Sequence, residues 1–214
     1  MISTGMTTRS ERIAAAALGC VGMFALVLQY VLVLQATDLT WSKATLRFIS
    51  FFTVHADFLA VLMLLAFATR PKIEEWAVHP FERSAIASYI VVVALIYATT
   101  LRELWAPQGV QWLVDVLLHY FMPLAYLAFW LFVMRKAGLR WYDPLLWLIY
   151  PVFYLGFVLV HGRFARFYPY PFIDVSKLGY GKMALNALGL AIVFVAAGYL
   201  VLVVSRVLAR REPV

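Results

Sequence analysis

Two short polar sets interrupt the apolar runs of this sequence: Thr53, His55 and Asp57 in one, Asp115 and His119 in another. Asp115 and His119 stand four apart, so on a helix they share a face. A carboxylate beside an imidazole fixes its tautomer and holds it as a general base. Thr53 and Asp57 have the same spacing, with His55 turned away from both. A hydroxyl within reach of an imidazole is the smallest activated nucleophile. Thr53, His119 and Asp115 are therefore the candidate catalytic residues: nucleophile, base and orienting carboxylate. Asp57 is a candidate for polar support, holding a proton or pairing with Arg102. A blander reading stays open, because threonines in apolar helices commonly bond their own backbone and buried polar groups also lock helix packing. Two ionisable groups on one face of a hydrocarbon-embedded helix favour function over packing.

Pro123 lies four residues beyond His119. It has no N–H for that residue's carbonyl, so the helix is expected to kink where the imidazole sits. Broken helices are tolerated in a membrane where they pack within protein or line a wet cavity.

The elements that must position these residues are transmembrane helices. The chain is 64% hydrophobic and 14% charged, with a mean hydropathy of +0.86, outside the range of soluble domains. Six apolar runs, near 13–36, 47–69, 84–105, 111–134, 144–160 and 183–206, can each cross a bilayer, which takes roughly 20 residues. The 214 residues thus read as one all-α, polytopic membrane domain. The fifth run opens at Asp143-Pro144, where proline suits a first helical turn. The first run is expected to be a retained anchor, since no small-x-small cleavage site follows it. No internal repeat supports a transporter built from duplicated halves.

Lys and Arg set the orientation. With a cytoplasmic N-terminus, that side holds eleven of them: Arg9, Arg12, Arg70, Lys72, Arg83, Arg135, Lys136, Arg140, Arg206, Arg210 and Arg211. The other side holds seven: Lys43, Arg47, Arg102, Arg163, Arg166, Lys177 and Lys182. Both termini are then cytoplasmic. A second helix entered near Arg47 puts Thr53 about 9 Å down, and a fourth entered near Gln111 puts His119 about 12 Å down, at 1.5 Å per residue. The two polar sets are expected at one depth, in the outer half of the membrane, beneath the loop carrying Tyr168 to Phe172.

Other chemistries fit less well. The sequence lacks G-x-S-x-G, S-x-x-K and H-E-x-x-H. Cys20 is the single cysteine, which leaves no internal disulfide and no CxxC motif. His55, Asp57, Asp115 and His119 are possible metal ligands, but their spacing is not that of a metal site, and neither metal nor cofactor is expected. A two-haem arrangement fails because His79 falls in a loop and His161 at a helix end. The net charge of +7 sits between apolar runs, where it sets topology and meets lipid headgroups rather than nucleic acid. Arg102 and Glu103 end the third run, as an interfacial salt bridge or as an anchor for a substrate carboxylate. Trp105, Trp112, Trp141, Tyr142, Tyr168 and Tyr170 read as interfacial aromatics, and Gly156, Gly189 and Gly198 as points of close helix contact.

The motifs Arg47-Phe48-Ile49-Ser50-Phe51-Phe52-Thr53 with Asp57, Asp115-Val116-Leu117-Leu118-His119-Tyr120-Phe121-Met122-Pro123, and Tyr168-Pro169-Tyr170-Pro171-Phe172-Ile173-Asp174 followed by Gly179-Tyr180-Gly181 occur in that order. In them the chain resembles, over nearly its whole length, the bacterial membrane family labelled Pr-six-Pr. That family is distantly similar to the eukaryotic androgen-induced protein family of membrane threonine hydrolases, which cleave fatty-acid esters of hydroxy fatty acids. The resemblance implies that Thr53 matches the nucleophilic threonine and His119 the histidine.

The expectation is an integral protein of the cell membrane. It hydrolyses lipid esters with Thr53 and His119, with Asp115 orienting the imidazole. Asp57, Arg102, Tyr168 and Tyr170 supply substrate contacts or polar support, and the partners are membrane lipids and an acyl-lipid substrate. A non-enzymatic lipid binder, transporter or scaffold is the alternative.

Overall fold

In hydrocarbon an apolar segment must satisfy its backbone internally, and this chain does so with helices. The computed structural model describes residues 8–36, 38–69 and 79–209, and these are helical with no strand among them. The order is α1 (Arg9–Gln35), α2 (Trp41–Phe48), α3 (Phe52–Thr69), α4 (Pro80–Ile96), α5 (Val110–Val116), α6 (Met122–Phe132), α7 (Asp143–Leu146), α8 (Ile149–Ala165) and α9 (Val175–Ala209). Six helical stretches are long and apolar enough to cross a membrane: Arg9–Gln35, Phe52–Thr69, Pro80–Leu104, Val110–Phe132, Asp143–Ala165 and Val175–Ala209.

Local chemistry sets several ends. Thr8 caps α1 in a reciprocal box with Glu11, satisfying two otherwise unpaired donors. His79 caps α4, with Pro80 in its first turn.

The spans α3 and α4 form the centre. In each, 56% of the apolar window is buried, against 17% for Asp143–Ala165 and 22% for α1 and α9. The outer helices therefore turn their apolar residues outward, as Phe24, Phe153 and Leu200 do. Helix α1 lies close along α3: a Cβ at Gly22 would meet Val61 Cγ2 and Met122 Cε at 2.5 Å. Of the three glycines expected at close contacts, only Gly198 is at one, against Pro144, while Gly156 and Gly189 face open space. The tight positions are instead Gly19, Gly22 and Gly162.

The second span departs from expectation. It does not run on from Arg47 but starts at Phe52, after α2 and a break at 49–51. The break is stable because side chains take the polar groups it frees. Tyr154 Oη donates to the Ser50 carbonyl (2.5 Å), His55 Nε2 to the Ile49 carbonyl (2.5 Å), and Ser50 Oγ bonds His161 Nδ1 (2.9 Å).

The stretch from 161 to 182 is also more ordered than a loop. α8 continues to Ala165 and ends on Arg166 in the left-handed region (φ 51°). A 3-10 turn spans Pro171–Ile173, and α9 is interrupted at Gly179 (φ 72°), a conformation suited to glycine. Asp174 anchors the turn: its Oδ1 accepts the Ser176 N–H (3.0 Å), and Lys177 lies 3.6 Å from Oδ2. Burial would push this carboxyl up, but the Ser176 and Lys177 contacts outweigh it and hold Asp174 below the usual carboxylate range. The cations Arg70, Lys72, Arg210 and Arg211, which weigh in the orientation argument, lie outside the described residues.

Candidate active site

His119 sits in a π turn, Leu117–Phe121, immediately before Met122 and Pro123. The kink expected from Pro123 takes this form: a carbonyl without its usual partner is accommodated by widening the turn. A second π turn, Tyr97–Leu101, extends α4. The two turns meet through a stack of the Tyr97 ring on the His119 imidazole, with centroids 3.9 Å apart and planes 16° from parallel.

Asp115 is buried behind this stack. Its Oδ2 accepts a hydrogen bond from Tyr97 Oη. His119 Nδ1 lies 3.2 Å from Asp115 Oδ1 and 3.2 Å from its backbone carbonyl. The N–H is aligned with the carbonyl, so the Oδ1 contact is an electrostatic one and Oδ1 has no hydrogen-bond donor among the described residues. With Nδ1 so engaged as donor, the other ring nitrogen, Nε2, is the basic one.

Thr53 is the second residue of α3, closer to the helix start than the expected 9 Å, because the break at 49–51 shortens the helix. In this first turn the backbone N–H groups have no partners within the helix. The Thr53 N–H instead donates to Tyr170 Oη at 3.4 Å. Tyr170 is buried, not an interfacial aromatic. Burial pushes its phenol up, so it is neutral at physiological pH, although bonds from the Thr53 side chain and the α3 backbone pull the other way.

Thr53, Asp115, His119, Tyr97 and Tyr170 all line one cavity of about 500 Å³. Gln29 and Gln111, bonded to each other at 2.9 Å, and Arg47 also line it. Arg47 lies 4.3 Å over the Phe167 ring and has no carboxylate partner among the described residues. No hydrogen bond joins Thr53 to His119 among the described residues; the cavity lies between elements that carry them.

No family model, no curated protein and no solved structure matches this chain.

The remaining candidates stand apart from this cavity. Asp57 is fully buried, and neither of its oxygens has a hydrogen-bond partner among the described residues. The expected pairing with Arg102 does not form, because Arg102 lies exposed in a 3-10 turn, Arg102–Leu104, beyond the π turn. His55 is spent on structure, with Nδ1 bonded to Tyr150 Oη (2.7 Å) and Nε2 to Ile49. No group of three or more His, Cys, Asp or Glu residues converges as a metal site among the described residues. Tyr168 is half-buried and covers Gly162 rather than the cavity.

Sequence reasoning missed Tyr97 and the Gln29–Gln111 pair. Gln29 left a signal, as an amide within the long apolar run of α1. Tyr97 left none, since its role depends on a π turn and on a neighbour far along the chain.

Proposed function

We propose that this protein is an integral membrane hydrolase of lipid esters, with Thr53 as nucleophile and His119 as general base. The observation that carries the reading is that Thr53 and His119 line one cavity, with Asp115 against Nδ1 of the imidazole. The motif resemblance to the Pr-six-Pr and androgen-induced families supports the same assignment.

The residues divide the work as follows. Thr53 Oγ1 attacks the ester carbonyl carbon while its proton passes to His119 Nε2, directly or through one water. Asp115 stabilises the imidazolium that forms, and Tyr97 holds Asp115 in place. Charge develops on the carbonyl oxygen beside the first turn of α3, where the positive end of the helix dipole favours an anion. The neutral Tyr170 hydroxyl, whose oxygen accepts the Thr53 N–H, has its own proton to offer that carbonyl oxygen. Collapse breaks the C–O bond, and the leaving alkoxide takes the proton from His119 to depart as an alcohol. A water then attacks the acyl-threonine and gives its proton to His119. The fatty acid leaves as that proton returns to Thr53.

The test is labelling by a fluorophosphonate in detergent, with wild type compared with Thr53→Ala and His119→Ala. Labelling of wild type that vanishes in both folded variants is the expected result. Persistent labelling of Thr53→Ala, or none of well-folded wild type, overturns the mechanism. In that case the cavity is one that binds lipid without turning it over.

A further inference from the structure

We infer that the gap between α8 and α9 is an acyl-chain site that opens sideways to the bilayer, and that Ala187 and Ala191 set the chain length it accepts. The inference rests on the ester-hydrolase reading for its link to turnover, but not for the site itself.

A second cavity, of about 110 Å³, lies between these two helices and against α4. Its walls include Val152 and Leu155 of α8 and Ala187, Leu190 and Ala191 of α9. Three residues, Thr53, Leu101 and Tyr170, line both this cavity and the larger polar one. The candidate nucleophile thus stands in the wall where an apolar chamber meets a polar one. An ester has the same division, with an apolar acyl chain on one side of the carbonyl and oxygen-bearing groups on the other. With its carbonyl at Thr53, the chain falls into the apolar chamber and the alcohol portion into the chamber of His119, Arg47 and the glutamines.

The size and surroundings select the occupant. A drug-sized ligand takes about 300–1,000 Å³, above the 110 Å³ of this chamber, which holds part of an extended alkyl chain while the remainder lies along the side that borders the bilayer. The few polar groups in the wall are accounted for at the Thr53 end, where Tyr154 Oη is bonded to the Ser50 carbonyl and Tyr170 Oη takes the Thr53 N–H. Beyond them a charged or hydrogen-bonding ligand would lose its solvation without return. Val152 in the wall is 61% exposed, and Ile192, beside Ala191, is 62% exposed. The cavity therefore borders the surface that faces hydrocarbon, and a chain reaches it without crossing water. Phe194, also in the wall, packs edge-on against Phe52, with centroids 5.3 Å apart. The two alanines are the small residues of the α9 wall, so side chains added there fill the space that a longer chain needs.

The experiment pairs turnover with mapping. Rates are measured for p-nitrophenyl esters from butyryl to palmitoyl on wild type, Ala191→Phe and the milder Ala187→Leu. In parallel, a diazirine-bearing palmitoyl ester is photolysed with each protein, with and without excess methyl palmitate, and the adducts are located by mass spectrometry. The expected result is competable labelling on α8 and α9 near Val152 and Ala191. Filling either alanine should lower kcat/KM for palmitoyl by about tenfold or more relative to butyryl and diminish the label. Labelling elsewhere, or a chain-length profile unchanged in both folded variants, overturns the inference even if hydrolysis occurs. Competable labelling at α8 and α9 without any turnover keeps the acyl site and removes the hydrolase reading.

Discussion

At the residue scale, the site depends on which polar groups are matched and which are not. Tyr97 both stacks on His119 and donates to Asp115. Removing its hydroxyl leaves a buried carboxylate short of a donor and loosens the imidazole. Tyr97→Phe is therefore expected to lower ester turnover by roughly ten- to a hundredfold, less than the loss of a general base itself, which costs about 10²–10⁴. Steady-state rates against those of His119→Ala check the order. Asp57 is the opposite case: buried, with no hydrogen-bond partner for either oxygen among the described residues. Replacing an unsatisfied polar group by an apolar one of similar size removes a penalty of about 1–3 kcal/mol. Asp57→Val is expected to raise the melting temperature in detergent, and a fall would reveal a partner that this carboxyl needs.

At the scale of elements, the break between α2 and α3 places Thr53. Had the helix continued from Arg47, Thr53 would be deep in a closed turn with its N–H committed inside the helix. The break instead puts it in a first turn whose Thr53 N–H points to a neighbour, and it holds because Tyr154 of α8 takes the freed Ser50 carbonyl and His161 bonds the Ser50 hydroxyl. Tyr154→Phe leaves the Ser50 carbonyl buried and unpaired and should cost about 1–3 kcal/mol of stability. Thermal unfolding compared with Tyr180→Phe, where the ring is exposed, is the measurement. Equal melting temperatures for the two variants would mean that the break does not depend on α8. The two π turns act in the same way on α4 and the fourth span, since each turns a residue that an ideal helix would aim elsewhere toward its partner.

At the scale of the whole molecule, six helical stretches are long and apolar enough to cross a membrane. From the charge bias of the sequence we propose that the cavity opens toward the outer face. A membrane-impermeant maleimide tests this in a variant lacking Cys20. Lys43→Cys should be labelled on intact cells, and Arg135→Cys only after permeabilisation. The reverse pattern would place the site on the cytoplasmic side and change which lipids reach it.

The sequence alone marked six candidate spans, because the length and apolarity needed to cross hydrocarbon are properties of single segments. It also singled out Asp115 and His119 as one unit, because residues four apart on a helix meet whatever surrounds them. It marked Pro123 as a disruption for an equally local reason. The tertiary structure decided the rest. It separated Asp57 from Arg102 and committed His55 to the backbone. It moved Tyr170 from the interface to the wall of the site and brought Tyr97 onto His119. Each outcome turns on hydrogen bonds between segments distant in sequence, and a buried donor or acceptor is satisfied by whichever neighbour packing delivers.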